Sequence, residues 1–279
     1  MQLKAYADVR NLGTDLREWL VLFYGLSYSV PTSIVCLEHL EELLNDPEAF
    51  WEKFKPRLIF QSDRRWVKFN NRFVPSFKDF VRKGIFRQLR GRESLDLENA
   101  LGVIQGVSYF ARFAAFLTLE AYCFMFQRQT FNDSLDWRHG DTATSGMLNV
   151  LGLDSEANEF DKTGILKRPV SLLDKYLGYI QEQIPLRDGR SVLFVETNLC
   201  AYRKLFKGTR YAGYYVDRVQ DELERTLAAF QEHSAALNTL YDARAASLPV
   251  SSLGELNGWH GIQKPLCKHY LRTGEWRVR

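Results

Sequence analysis

Apolar side chains recur at helical spacing along nearly the whole chain, and that periodicity excludes most architectures. Asp15 to Tyr28 (DLREWLVLFYGLSY) is apolar on most faces, as in a buried helix. Pro31-Thr32-Ser33 starts a second helix, with Ile34, Leu37 and Leu40 in register. Asp46-Pro47 opens a short helix from Glu48 to Lys55, because proline suits a first turn. Leu95 to Gln127 reads as one long helix, or as two broken near Gly102 and Gly106. Val170 to Ile184 and Gly213 to Ala246 are amphipathic helices. Ser191 to Phe206 starts with strand-like residues and finishes as a helix, which leaves room for a short β element near Val192 to Val195. Gln129 to Gly146 reads as a loop leading into a helix at Ser145 or Gly146, and Asp154 to Arg168 as a further loop. The tail from about residue 248 is turn-rich and ends basic. The expected fold is mainly α: a single multi-helix domain over residues 1–279, with at most a short β element.

The totals exclude several classes of function. With 46% hydrophobic and 25% charged residues in 279, the chain has enough apolar surface to fold. No apolar run approaches the roughly 18 residues that span a bilayer, and Met1 to Glu18 carries no apolar signal-peptide core. No membrane partner and a cytoplasmic location are expected. Cys36, Cys123, Cys200 and Cys267 are too far apart for a zinc or redox motif. The five His show no metal-binding spacing, and neither a Walker A loop nor a dinucleotide fingerprint occurs. No cofactor is expected on these grounds.

A net charge of +3 hides a strong local excess. From Arg57 to Arg92 there are eleven Lys or Arg against Asp63 and Asp79, an excess of nine. Phe60, Trp66, Phe69, Phe73, Phe77, Phe80 and Phe86 lie among these charges. Paired guanidinium groups suit phosphate, and rings between charges can stack bases. The competing reading is a helical face with solvated charges and core aromatics. A second candidate is the loop Leu135 to Gly146 (LDWRHGDTATSG), which gathers an acid, an indole, a guanidinium and an imidazole before a helix N-terminus. Helix capping accounts for part of that composition. A third is Glu196 to Lys204 with Lys207 to Arg218, where Glu196, Cys200 and Arg203 share a helix face. A tyrosine-rich packing edge is the plainer alternative. The fourth is Arg112 with Glu120 in a very apolar helix, where charges pair with other helices or face a ligand.

The blocks WLVLFYGLSYSVPTS, FQSDRRWVKFNNRFV, FARFAAFLTLEAY, LDWRHGDTATSGMLNVLG and ETNLCAYRKLFKGTRYAGYYVDR occur in that order. Together they resemble the phage amino acid:DNA transferase family, a group related to the α-glutamyl/putrescinyl thymine pyrophosphorylases. The resemblance runs from about Trp19 to about Arg225. It implies thymine hypermodification in bacteriophage DNA. There, a transferase displaces pyrophosphate from 5-pyrophosphoryloxymethyluracil with an amine, either an amino acid such as glycine or a polyamine such as putrescine. The implied partners are double-stranded DNA carrying the activated base and a small amine, in the cytoplasm of an infected bacterial host cell.

Chemistry applied to the matching blocks gives expected roles. Arg64, Arg65, Lys68, Arg203 and Arg210 are expected to meet pyrophosphate. Asp136 or Glu196 is expected to take the amine's proton. Base flipping brings the reacting carbon out of the stack, with Trp137, Tyr211 or Tyr214 as stacking platforms. Asn198 reads the uracil edge, and His139 lies in the polar loop. Cys200 is a candidate for covalent attack on ring C6, against its plainer reading as a small hydrophobe. Magnesium (Mg2+) suits a pyrophosphate leaving group, although no Asp-rich motif demands it. Two other readings stand beside this one. One is a helical, glycosylase-like base-flipping enzyme, which lacks its usual hairpin signature here. The other is a non-catalytic DNA-binding phage protein, which leaves the polar loops without a reason.

Overall fold

A computed structural model describes residues 2–92, 95–131, 135, 137, 142–152, 170–183, 191–207 and 214–247. The described residues are mainly α-helical, as the periodicity predicts. The chain forms two compact units, Met1–Phe131 with Val216–Gly254, and Asn132–Tyr215 with Glu255–Arg279.

The first unit begins with α1 (Gln2–Val9), α2 (Thr14–Ser27), α3 (Val30–Glu38), α4 (Leu40–Asn45) and α5 (Pro47–Phe54). The basic stretch supplies α6 (Arg64–Phe69), α7 (Phe73–Lys83) and α8 (Ile85–Arg90). Strand β1 (Leu95–Asp96), α9 (Leu97–Gln105), α10 (Arg112–Phe126) and β2 (Thr130–Phe131) follow. The two short strands pair in parallel, Leu95 with Thr130 and Asp96 with Phe131. The second unit holds α11 (Thr142–Val150), α12 (Val170–Gln183) and α13 (Val192–Phe206). The chain returns to the first unit through α14 (Tyr214–Ala229), a 3-10 turn at Gln231–His233 and α15 (Ser234–Ser247).

Local chemistry accounts for the element ends. The Ser29 hydroxyl accepts from Thr32 N at the start of α3, and Asp46 accepts from Ala49 N at the start of α5. Asp96 does the same for Asn99 N on α9. Gly106 follows α9, so Leu95 to Gln127 holds two helices and not one.

Three expectations are corrected. Val192 to Val195 is the first turn of α13, not a strand; Val192, Leu193 and Val195 are buried, and helical spacing lets Val192 and Val195 share a face. Helix α11 starts at Thr142, ahead of Ser145. The segment from Gly213 to Ala246 is two helices, because Phe230 is fully buried with a non-helical backbone. Arg57 holds that break: its Nε donates to Ala229 O at 2.7 Å, its guanidinium stacks 3.9 Å from the Phe230 ring, and it pairs with Glu232 at 2.6 Å. A cation at a helix C-terminus also complements the helix dipole. The loop from Asp154 to Arg168 and the tail from residue 248 lie outside the described residues.

Helix α2 runs through the core of the first unit, against α3 and α10. Gly25 makes the α2–α10 approach possible. A Cβ there would collide with the Thr118 hydroxyl and lie 3.2 Å from Thr118 Cβ. In the same unit, His39 and His233 meet with Nε2 atoms 2.7 Å apart. His39 Nδ1 faces Glu42 at 3.1 Å, and its ring packs 4.2 Å from that of Phe54. Burial lowers the His39 pKa; His233 and Lys53 reinforce this, and Glu42 opposes it.

Gly25→Ala is expected to cost about 1–3 kcal/mol by overpacking, with part recovered by adding Thr118→Ala, as read by urea denaturation. Because the folded-state pKa of His39 lies below its unfolded value, the unfolded chain binds more protons between the two. The stability contribution is therefore complete above about pH 6.5 and is lost as pH falls toward the folded-state pKa. Thermal melting should fall between pH 7.5 and 5.5, and His39→Gln should flatten that dependence.

Candidate functional site

Nine of the eleven cations between residues 57 and 92 have partners inside their own unit. Lys78 pairs with Glu48 at 2.6 Å, Arg90 with Glu18 at 2.7 Å and Asp15 at 3.2 Å, and Arg57 with Glu232. Arg82 and Lys83 both bind Asp79, at 2.5 and 2.9 Å. The Arg82 hydrogen bond, with Lys83 and the backbone and hydroxyl of Ser108, holds the Asp79 carboxyl well below the usual carboxylate range. Arg72 donates to the Tyr109 hydroxyl at 2.8 Å. Acids from distant segments thus answer three of these cations, Arg57, Lys78 and Arg90, and the other six are held by Asp63, Asp79 or neutral oxygens. Five of the seven interleaved aromatics are core residues; Trp66 and Phe69 are exposed.

The expected pyrophosphate ligands of this stretch are held by the protein. Arg64 is only 2% exposed; it pairs with Asp63 at 2.8 Å, and both terminal nitrogens donate to Tyr109 O at 3.3 and 3.4 Å. Its place in the fold is that of a positioning residue. Arg65 donates to Gln61 Oε1 at 2.8 Å and to Phe60 O. Lys68 donates to Leu58 O, and burial lowers its pKa, as do Lys55 and Arg225.

A cluster that the residues alone did not single out lies at the junction of α2, α10 and α14. The turn after α2 is stitched by buried hydroxyls. Thr32 Oγ1 donates to Ile59 O at 2.8 Å and accepts from Ile59 N at 3.0 Å. Ser27 O accepts from Gln61 N at 2.9 Å, and Ser33 Oγ donates to Ser29 O at 2.7 Å. Tyr28 ends α2 in the left-handed region with φ of 53°, a costly conformation for an aromatic residue and one that accumulates at functional sites. Its ring meets Tyr24 edge-on at 5.5 Å, and the Arg218 guanidinium lies 4.8 Å over it.

Glu222, one turn beyond Arg218 on α14, is at the bottom of this cluster and only 1% exposed. Arg218 Nε lies 3.3 Å from its Oε1 without hydrogen-bond geometry, and the Ser29 and Gln61 side chains stand near the same carboxylate. Burial raises the Glu222 pKa, while Arg218 and the side chains of Ser29 and Gln61 pull it down. Desolvation raises the Tyr24 phenol well above its ordinary value, and the charges of Tyr28, Glu120 and Glu222 add to the effect. Tyr28, Glu120 and Arg218 are half-buried, so the cluster has an edge near solvent. A buried acid whose pKa is raised, beside a guanidinium and two phenols, is equipped to exchange a proton with a ligand.

Arg112 pairs bidentately with Glu98 at 2.9 and 2.7 Å, which makes it structural; Glu120 instead belongs to the cluster. The sequence places Arg218 at the end of the third candidate and Glu222 on an amphipathic helix rich in Glu and Arg, without singling out Glu222. The signal that finds them is their position on the buried face with Val219 and Leu223.

The second unit carries the remaining expected residues. Gly146 lets α11 lie directly on α13: a Cβ there would stand 2.7 Å from the Leu199 carbonyl carbon. Trp137 is 1% exposed and donates to Asp174 at 2.7 Å. This corrects its expected role as a stacking platform, because its faces are covered. Cys200 Sγ donates to Glu196 Oε1 at 3.3 Å across one turn of α13, and Arg203 follows on that face. Asn198 donates to Phe194 O of its own helix at 2.8 Å. Asp136, His139, Arg210 and Tyr211 lie outside the described residues, as does the Tyr214 side chain. The expected site residues therefore divide between the two units, with Arg64, Arg65 and Lys68 in the first and Trp137, Glu196, Asn198, Cys200 and Arg203 in the second.

Among the described residues, no group of three or more His, Cys, Asp or Glu is placed to hold a metal ion, and no helix is long and apolar enough to cross a membrane. Comparison of the chain with protein-family models, curated proteins and solved structures finds no match.

Arg64→Ala is expected to lower the unfolding free energy by about 1–3 kcal/mol, through loss of buried charge-assisted hydrogen bonds; Arg65→Ala, at an exposed position, should cost less. Urea denaturation of the two variants checks the order. Full stability in Arg64→Ala would contradict the positioning role.

Proposed function

We propose that this chain is a DNA-modifying transferase that joins an amine to the 5-methylene carbon of an activated uracil in phage DNA and releases pyrophosphate. One observation carries the reading. Polar residues from four of the resembling blocks, far apart in sequence, meet in one cluster: Arg218 from the last block, Ser29 from the first and Gln61 from the second act on Glu222, and Tyr28, Glu120 from the third, Arg218 and Glu222 act on Tyr24. Blocks that matter only for packing would have no reason to bring their ionisable groups to one place.

In this reading, the amine enters as an ammonium and loses a proton to Glu222. The nitrogen lone pair then forms the new C–N bond as the C–O bond to the leaving group breaks. That electron pair departs with pyrophosphate. A carboxyl whose pKa is raised by burial is a better proton acceptor than an ordinary glutamate at the same pH. Arg218 limits the cost of the buried negative charge before the proton arrives. An amino acid or a polyamine satisfies this chemistry equally, since both offer a primary amine. The site of action is the infected bacterial cell.

The test offers duplex DNA containing 5-pyrophosphoryloxymethyluracil with a panel of amines, followed by nucleoside mass spectrometry. An aminomethyl nucleoside and stoichiometric pyrophosphate are expected. Glu222→Gln should cut turnover by about 10²–10⁴-fold. The acid limb of the wild-type profile should lie above the ordinary glutamate pKa of 4.5. Free base and abasic DNA in place of the aminomethyl product would overturn the reading.

A further inference from the structure

The exposed face of α6 carries aromatic rings where a folded protein ordinarily hides them. Trp66 is 51% and Phe69 75% exposed, and three-residue spacing puts them on one side of the helix. Tyr109 (38%) and Phe113 (45%) are exposed on the segment entering α10, with Tyr109 in ring contact with Trp66 at 6.1 Å.

The arrangement is held in place. Tyr109 has φ of +65°, in the left-handed region that a bulky residue rarely enters. Two contacts maintain it. The buried Arg64 guanidinium grips the Tyr109 carbonyl, and Arg72 both covers the ring at 4.7 Å and donates to its hydroxyl at 2.8 Å. Arg64 also lies 5.5 Å from the Phe110 ring, which anchors the turn to the core. Strain maintained by two guanidinium groups points to a presented ring, not a misplaced one.

Cations stand among the rings. Arg65 is exposed beside Trp66, and Arg72 lies beside Tyr109. The acid nearest in sequence, Asp63, is committed to Arg64. Flat apolar faces alternating with guanidinium groups match one kind of polymer: a strand with unpaired aromatic bases and a phosphate on every residue. A duplex hides its base faces, and an apolar protein segment has no use for the charge.

We propose that α6 and the Tyr109 turn form a stacking face for unpaired nucleotides of a nucleic-acid strand. Bases stack on Trp66 and Phe69, with Arg65 on the backbone and Arg72, seated on the Tyr109 ring, offering its remaining N–H groups to the same backbone. Arg64 acts as a positioning residue for Tyr109. The inference stands apart from the transferase reading, since it concerns strands that carry no leaving group.

The experiment measures fluorescence anisotropy of a labelled, unmodified single-stranded oligothymidine titrated with the full chain, and of the matching duplex, at several salt concentrations. The wild type should bind the single strand more tightly than the duplex. Trp66→Ala and Phe69→Ala, both at exposed positions with melting checked against wild type, should each weaken binding about tenfold. Arg72→Gln should lower the salt slope by about 0.7. Duplex bound as tightly as single strand, wild-type affinity in the folded ring variants, or no binding by the wild type each overturns the proposal. Glu222→Gln should bind normally. Its loss of turnover with binding intact separates the two readings, and transfer by a wild type that ignores single strands would remove only this one.

Discussion

The Thr32 hydroxyl, donor to the Ile59 carbonyl and acceptor from the Ile59 amide, is the tie on which the polar side of the first unit depends. It joins the first turn of α3 to the segment before α6, 27 residues later. Each polar group is fully buried and each is satisfied, which is the condition under which buried polar networks specify one arrangement. Ser27 and Gln61 close the same seam through their backbones. With the seam closed, Ser29 and Gln61 stand beside Glu222, and Arg64 reaches the Tyr109 carbonyl. The ionisable cluster and the aromatic face thus share one mechanical origin.

Charge is distributed by the same economy of contacts. The basic stretch is not a free electrostatic surface, because Glu18, Glu48, Asp79 and Glu232 answer much of it. Most of these are exposed or half-exposed pairs, each worth little alone. Their effect is on what remains. Cations held only by neutral oxygens keep their full charge, and two of these, Arg65 and Arg72, are beside exposed rings. Glu222 is the opposite case: a carboxyl kept from water whose nearby guanidinium does not complete its hydrogen bonding.

Much of the helical layout was legible because caps and breakers act locally. Asp46-Pro47 and Gly106 do in the structure what their chemistry predicts, while the start assigned to Pro31-Thr32-Ser33 lies at Val30, capped by Ser29. The break at Phe230 was hidden because its cause is Arg57, 172 residues away. Val192 and Val195 looked strand-like because β-branching is a weak preference that packing overrides. Trp137, in a polar loop, gave no local sign that Asp174 would bury it. The cluster was partly legible: the resembling blocks were visible, and Glu120 was marked by its apolar setting. Glu222 was not, since an amphipathic helix with many acids does not announce which one faces inward.

The central claim is that Glu222 takes the proton of the incoming amine. Time-resolved infrared difference spectroscopy on mixing enzyme, activated DNA and amine tests it most directly. The account predicts a protonated-carboxyl C=O band that rises in step with pyrophosphate release and is absent in Glu222→Gln. A turnover that proceeds without that band, or with the band unchanged in the variant, would contradict it.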